Sequence, residues 1–412
     1  AQREKRRHGR HGALGTSPSA PSAPALATAM CPRKRSRGPR LFESPEYHFS
    51  DLRADDVVQG LTWRDERLGE GAFAQVLKCW SPKHGYVAVK VLKHRSFCEE
   101  VSLEAEAEAA ILRSLAHPHI VRMLDFFELE GHVCLALELL GLTLLQLLEG
   151  HVQGLRQETV KEIARQVLLA LEYLGRLELI HGDLKPENVL MDPGCRARGR
   201  LHVKVADFGA ARRISDEEVT IQTLPYRAPE VLLGGRRICC KVDVWSLGAI
   251  CIELYTGEPL FDHQFTQEEV VAGIDQLLGP IPEEMLCRGT RTAEFFERTM
   301  HRTCKPPGRL AAAWSWVRSL FREPEVRFRL VWETNRHRPR APREQRSLKQ
   351  GFRGRRFDLH WRRGRVRRLG KSELRQQLRL RKRLEAVVWR MLVVDPDARG
   401  TASELRLLLG SF

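Results

Sequence analysis

Alternating apolar and polar positions open the interpretable part of the chain. Gln75–Leu77 and Tyr86–Leu92 alternate as half-buried strands do, with a glycine-bearing turn between them. Between Glu99 and Leu115 the run LEAEAEAAILRSL joins strong helix formers to an apolar stripe, which predicts a helix. Val133 to Leu148 is the most apolar stretch, but Glu138, Gly141 and Gln146 interrupt it. It therefore predicts a buried strand running into a helix, and no membrane span. A long helix is predicted over Glu158–Leu174, and beyond residue 155 the pattern is mainly helical apart from a loop-rich segment at 180–230. The expected class is α+β, a small β-rich lobe followed by a large α-rich one, with no internal repeat.

Charge adds a division that hydropathy does not show. The 412 residues carry a net +16, but residues 1–40 hold +9 and residues 301–383 hold +21, so the rest of the chain is acidic at −14. Basic character belongs to two appendages and not to the globular body. Residues 1–40, rich in Ala, Ser, Pro and Arg without periodicity, read as a disordered tail, followed by an extension at 41–62. The opening AQREKRRHGRHG has no apolar core behind its basic residues, so no secretory signal is expected. Ten cysteines with no CxxC pair exclude a zinc ribbon and a disulfide framework and fit a reducing compartment. The run Pro32–Arg37 resembles a nuclear import signal, which makes a nuclear or cytoplasmic location the expectation.

Candidate chemistry begins at Leu68-Gly69-Glu70-Gly71-Ala72-Phe73-Ala74-Gln75-Val76. Glycines there would let backbone N–H groups approach phosphates, although Ala74 stands where a third glycine of G-x-G-x-x-G belongs, and a plain hairpin turn explains the segment equally well. Lys90 ends the apolar run Val87-Ala88-Val89-Lys90. On the predicted helix, Glu108 precedes Ile111-Leu112 and is the preferred partner for that lysine, with Glu104 one turn away as the alternative. Then come His181-Gly182-Asp183-Leu184-Lys185-Pro186-Glu187-Asn188, Asp207-Phe208-Gly209 and Ala228-Pro229-Glu230.

In this order and spacing, these segments resemble the eukaryotic protein kinases, over roughly Trp63 to Leu408. The resemblance implies the two-lobed kinase fold: an N-lobe at 63–140, a C-lobe at 141–300, a basic insert at 301–383 and the end of the C-lobe at 384–412. It implies a serine/threonine protein kinase using ATP and Mg²⁺ on a protein substrate, with dual specificity left open. By resemblance Lys90 pairs with Glu108 and holds the nucleotide phosphates, Asp183 accepts the hydroxyl proton, and Lys185 steadies the γ-phosphate. Asn188 and Asp207 would hold the metal. Gly69, Gly71, Val76, Ala88, Lys90, Glu138 and Leu140 would make up the nucleotide-binding set, Glu138 and Leu140 as the hinge. Asp243 resembles the aspartate that braces the catalytic loop, and Arg399 the structural partner of Glu230.

Within the kinases the chain resembles the CMGC group, nearest the dual-specificity tyrosine-regulated and homeodomain-interacting kinases, with some cyclin-dependent features. Gly182 replaces the arginine usual before the catalytic Asp, which in other kinases grips an activation-loop phosphate. Thr220-Ile221-Gln222-Thr223 stands where those relatives carry an autophosphorylated tyrosine, and Pro225 replaces a usual tryptophan. The insert interleaves Trp314, Trp316, Trp332, Phe352 and Trp361 with arginine runs such as Arg362-Arg363-Gly364-Arg365, so nucleic acid or an acidic protein is an alternative partner there. A pseudokinase scaffold and a nucleic-acid-associated binding protein are the competing functional readings.

Overall fold

The computed structural model describes residues 57–58, 60–70, 74–92, 99–129, 132–194, 201–214, 221–235, 238–301, 325–330 and 371–410. The expected tail at 1–40, most of the insert, Gly71 and Thr220 lie outside them.

The first half forms one antiparallel sheet. Its strands are β1 (Val57–Val58), β2 (Leu61–Glu70), β3 (Ala74–Ser81), β4 (Gly85–Leu92), β5 (Met123–Leu129) and β6 (His132–Glu138), in the order β1-β2-β3-β4-β6-β5. Pairing starts at Val57, inside the segment 41–62 expected to be an extension. Strand β4 is rich in β-branched valines, and Val87, Val89 and Val91 are all buried, so it occupies the sheet's middle. Between β4 and β5 lies α1 (Glu99–Ser114), whose Ala105, Ala109 and Leu112, at helical spacing, are buried against the sheet.

The second half is helical. Thr143 caps α2 (Leu144–Glu149) in a reciprocal box with Gln146. In α3 (Gln157–Arg176), Val160, Ile163, Ala164, Val167, Leu171 and Leu174 recur every three or four residues and form the buried stripe. Short strands β7 (Leu179–Ile180), β8 (Val189–Met191), β9 (Val203–Val205) and β10 (Arg212–Arg213) shape the loop-rich segment, β7 pairing with β10 and β8 with β9. Next come α4 (Pro229–Leu232) and α5 (Lys241–Thr256). Helix α5 is buried on all sides from Val242 to Tyr255, with Asp243, Ser246 and Glu253 as its polar members, which makes it the axis around which the large lobe packs. Helices α6 (Gln267–Leu278), α7 (Glu283–Arg288) and α8 (Thr292–Phe295) follow, then a ribbon of β11 (Phe296–His301) and β12 (Glu325–Leu330).

Helices α9 (Lys371–Met391) and α10 (Ala402–Gly410) complete the lobe. The boundary expected between insert and C-lobe at 383/384 thus falls inside α9, and β12 lies within the span read as insert. The physical reason is visible in α9: Arg379 to Arg383 are exposed or half-buried, and the buried positions among its described side chains are Leu384, Val387, Val388 and Met391. Among the described residues no helix is long and apolar enough to cross a membrane.

Candidate active site

Register places a row of the predicted residues across the sheet. Gly69 faces Val76, Val76 faces Lys90, and Lys90 faces Leu135, while Ala88 faces Leu137 beside the hinge residue Glu138. Lys90 donates to both oxygens of Glu108, at 2.9 and 2.8 Å, and to Asp207 Oδ1 at 2.7 Å. Of the two candidate carboxylates on α1, Glu108 is buried on the sheet side and Glu104 is exposed. Enclosure works against the Lys90 charge, yet the Glu108 and Asp207 carboxylates more than offset it and hold the ammonium above its ordinary range. Crowding by protein tends to lift the Asp207 carboxyl, but Lys90 prevails and holds it below the usual aspartate value. Gly209 lies beside this cluster, where a Cβ would make ordinary contacts of 3.5 Å with Glu108 Oε2 and 3.6 Å with Lys90 Nζ.

A second group lies on the loop after β7. Buried Asp243, on α5, accepts the backbone N–H groups of His181 at 2.7 Å and Gly182 at 3.1 Å, and burial pushes its carboxyl up. Gly182 has φ +77°, and a Cβ there would meet the Ala210 carbonyl oxygen at 2.6 Å. Only glycine fits that turn without strain. The ring of His181 lies 3.0 Å from the Ala206 carbonyl and packs edge-on against Phe208, which ties the loop to the strand end bearing Asp207.

Asp183 is held from several sides. Its Oδ2 accepts from Lys185 Nζ at 2.6 Å and Asn188 Nδ2 at 3.3 Å, and its Oδ1 accepts from the Thr223 hydroxyl at 2.6 Å and the Thr223 N–H at 3.1 Å. Asn188 also donates to the Asp183 carbonyl at 2.8 Å. Sequence reasoning named Asp183, Lys185 and Asn188, and placed Thr223 only in the stretch that stands where relatives carry an autophosphorylated tyrosine; its bonds to Asp183 were not foreseen. Thr223 is placed by Gln222, whose side-chain amide donates to Val242 O and Ser246 Oγ and accepts from Ala228 N–H.

The segment expected to be the hinge follows β6. Glu138 ends β6, and Gly141 N–H donates to Met191 O at 2.7 Å, which anchors the segment containing Leu140 to β8. The described members of the predicted set thus include two bonded groups, Lys90 with Glu108 and Asp207, and Asp183 with Lys185 and Asn188, linked through Ala206, whose N–H donates to Asn188 O and whose carbonyl meets the His181 ring; Gly71 is outside the described residues. Asp207 and Asn188 are one carboxylate and one amide, a donor pair that suits Mg²⁺ only when substrate phosphates complete its oxygen shell.

Farther below, Arg399 and Glu230 form a buried bidentate pair at 2.7 and 2.9 Å. Arg399 also donates to the carbonyls of Val393, Lys241 and Val394. Every direction of the guanidinium is used within the fold, so this pair has no donor left for a ligand.

Comparison with known proteins agrees with this geometry. The family model described as protein kinase domain matches residues 63–406. The chain is 37% identical over 283 residues to serine/threonine-protein kinase ppk5 of Schizosaccharomyces pombe, covering 64% of this chain and 32% of that protein. It is 37% identical to homeodomain-interacting protein kinase 2 of Mus musculus, over 57% of this chain and 20% of that protein. Dual specificity protein kinase CLK1 of Mus musculus is 33% identical over 66% of this chain and 62% of its own length. These relatives are CMGC-group kinases, and the chain spans between a fifth and about three fifths of their lengths. With the family model matched across both groups of cleft residues, the chain belongs to the protein kinase domain family.

Proposed function

We propose that the chain is a serine/threonine protein kinase that transfers the γ-phosphoryl group of Mg-ATP to a protein hydroxyl. The observation that carries this is the convergence on one cleft of Lys90, Glu108 and Asp207 from one side and Asp183, Lys185 and Asn188 from the other. A scaffold has no use for so many unlike charges facing one another across a cleft.

Roles follow from position. Backbone groups of Glu138 and Leu140 bond adenine, between Val76 and Ala88 on the sheet side, and Gly69 and Gly71 bring main-chain N–H groups to the phosphates. Lys90, oriented by Glu108, neutralises phosphate oxygens. Asp207 and Asn188 hold Mg²⁺, which when bound withdraws charge from the phosphates. Asp183 orients the acceptor hydroxyl and takes its proton as the oxygen–phosphorus bond forms and ADP leaves. Lys185, 2.6 Å from Asp183, travels with the transferred group as a counter-charge. Thr223 keeps Asp183 turned toward the acceptor.

Intracellular residence, nuclear or cytoplasmic, belongs to this proposal. Cys79, Cys134, Cys239, Cys240, Cys251 and Cys287 are free thiols, as a reducing compartment allows, and the Pro32–Arg37 run is the nuclear feature. A second partner, nucleic acid or acidic protein, is assigned to the charge of 301–383; its binding should weaken steeply with salt and disappear when that span is removed.

A radiolabelled-ATP assay on a panel of protein substrates, serine, threonine and tyrosine acceptors included, tests the activity. Asp183→Asn should lower turnover by about 10²–10⁴-fold, the usual worth of a positioned base. Equal labelling by wild type and Asp183→Asn would end this reading.

A further inference from the structure

Three segments meet at the side chain of Glu138. Its backbone N–H donates to the Arg122 carbonyl at 3.0 Å, and its Oε1 accepts the Arg122 N–H at 2.8 Å. The same oxygen accepts from Lys204 Nζ at 2.6 Å. Arg122 precedes β5, Glu138 closes β6, and Lys204 is the middle residue of β9, so the contact joins the small lobe and the hinge to a strand of the large lobe. The two side chains are only 13% and 20% exposed, and the surrounding protein strengthens their attraction relative to water.

The ammonium arrives from a fixed base. Val205 donates its N–H to His119 O and accepts from Val121 N–H, both at 2.9 Å, and it also pairs with Val189 of β8. Ala206 N–H then donates to the Asn188 carbonyl at 2.8 Å, immediately before Asp207. One short strand therefore carries an ion pair to the peptide assigned to adenine at one end and the carboxylate assigned to metal at the other.

The roles given above use only the main chain of Glu138 and leave Lys204 idle. Without its counter-charge the Glu138 carboxylate is drawn toward water. It then drops the Arg122 N–H, and the peptide that presents the hinge carbonyl loses one of its two anchors. We infer that Lys204 is a positioning residue that clamps the hinge across the two lobes and so sets affinity for the adenine end of the nucleotide. The inference rests on the kinase reading of the cleft. It makes a specific demand: removing the clamp weakens nucleotide binding and leaves phosphoryl transfer at saturation nearly intact, because Lys204 touches no reacting atom.

The test uses the full chain and fluorescent mant-ADP with Mg²⁺, with ATP kinetics alongside. Lys204→Met should weaken mant-ADP about tenfold and raise the KM for ATP by a similar factor, as expected when a charge-assisted contact orienting a binding group is lost. Its kcat and its KM for peptide should stay within about twofold, and Lys204→Arg should restore binding to within about threefold. Glu138→Gln keeps an acceptor for the Arg122 N–H but loses the charge, so the double variant should bind no worse than Lys204→Met alone. Should Lys204→Met fold poorly, Glu138→Ala, which removes the acceptor of both the Arg122 N–H and Lys204, must weaken mant-ADP at least threefold by itself. Unchanged binding in these variants, or a fall in kcat at constant KM, overturns the clamp alone. A wild-type protein that binds no mant-ADP overturns the kinase reading and the clamp with it.

Discussion

Arg399 and Lys90 are both cations held by carboxylates, yet they are embedded in opposite ways. Arg399 is fully buried, its partner Glu230 is 6% exposed, and carbonyl oxygens fill the remaining donor directions. Lys90 is 14% exposed and is shared between buried Glu108 and Asp207, which is 46% exposed at the open side of the cleft. A charge whose hydrogen bonds are all satisfied by the fold has no donor left for a ligand, and removing its partner leaves a buried charge uncompensated. A charge shared with an exposed carboxylate can exchange that partner for a phosphate, because solvent and ligand reach the same side. Burial and completeness of bonding, more than the presence of an ion pair, separate the structural site from the chemical one.

The largest effect expected from this contrast is at Arg399. Replacing it with leucine strands a buried carboxylate and should cost about 3–5 kcal/mol of unfolding free energy. The folded fraction should bind Mg-ADP as wild type does. Denaturant titration and nucleotide titration, run together, would expose any catalytic share for this pair as lost affinity.

A test at His119 asks whether the junction behind the hinge follows the structural pattern. Its buried ring contacts the Val203 carbonyl at 2.9 Å with His202 and His117 nearby, and burial pushes its pKa down to about 4 despite that carbonyl. The unfolded chain, at the ordinary value near 6.5, binds the extra proton between those limits. Stability from this residue is therefore complete above pH 6.5 and is lost as pH falls toward 4, by about 3 kcal/mol. Melting curves of His119→Asn should show a correspondingly shallower acid slope than wild type. Identical slopes would mean that protonation is accommodated.

Lys90→Met should behave in the reverse sense to Arg399→Leu. Burial already lifts the Glu108 carboxyl, so on losing its partner Glu108 takes up a proton and the apoprotein is only modestly weakened. What should disappear is the stabilisation by Mg-ATP, about 2.7 kcal/mol at a hundred times the dissociation constant. Thermal melting with and without Mg-ATP measures it; a wild-type-like shift in the variant would remove Lys90 from the phosphate site. The smallest effect is expected at Gly182→Ala, where left-handed strain and the approach to Ala210 O should cost about 1–3 kcal/mol and displace the N–H that Asp243 holds. Denaturant titration gives the cost, and an unaltered midpoint would show that the loop tolerates a Cβ.

How much of this could be read from sequence depended on the distance between partners. Lys90, Asp183, Asn188 and Asp207 were legible because their neighbours in sequence form recognisable runs, and strands β3 and β4 because their residues alternate. Glu104 and Glu108 could not be separated firmly, since they lie one helical turn apart and only the packing of Ala105 and Ala109 decides which faces the sheet. Thr223 and Lys204 stand in marked runs, but the runs fix only the order of residues: that the Thr223 hydroxyl turns to Asp183 and the Lys204 ammonium to Glu138 is set by packing. The start of α9 escaped for a different reason: KSELRQQLRLRKR is dense in positive charge and reads like the basic run that precedes it.

The pairing of Glu230 with Arg399 also orders events in time. Synthesis at about 5–20 residues per second delivers Arg399 roughly eight to thirty-five seconds after Glu230, because 169 residues separate them. Throughout that interval α4 has a carboxylate without its partner, whose burial costs about 3–5 kcal/mol. A nascent large lobe is therefore weakened around α5 while the whole of 301–383 is being made. A chain interrupted anywhere between the two residues would keep that apolar axis uncovered, where proteases and chaperones can engage it.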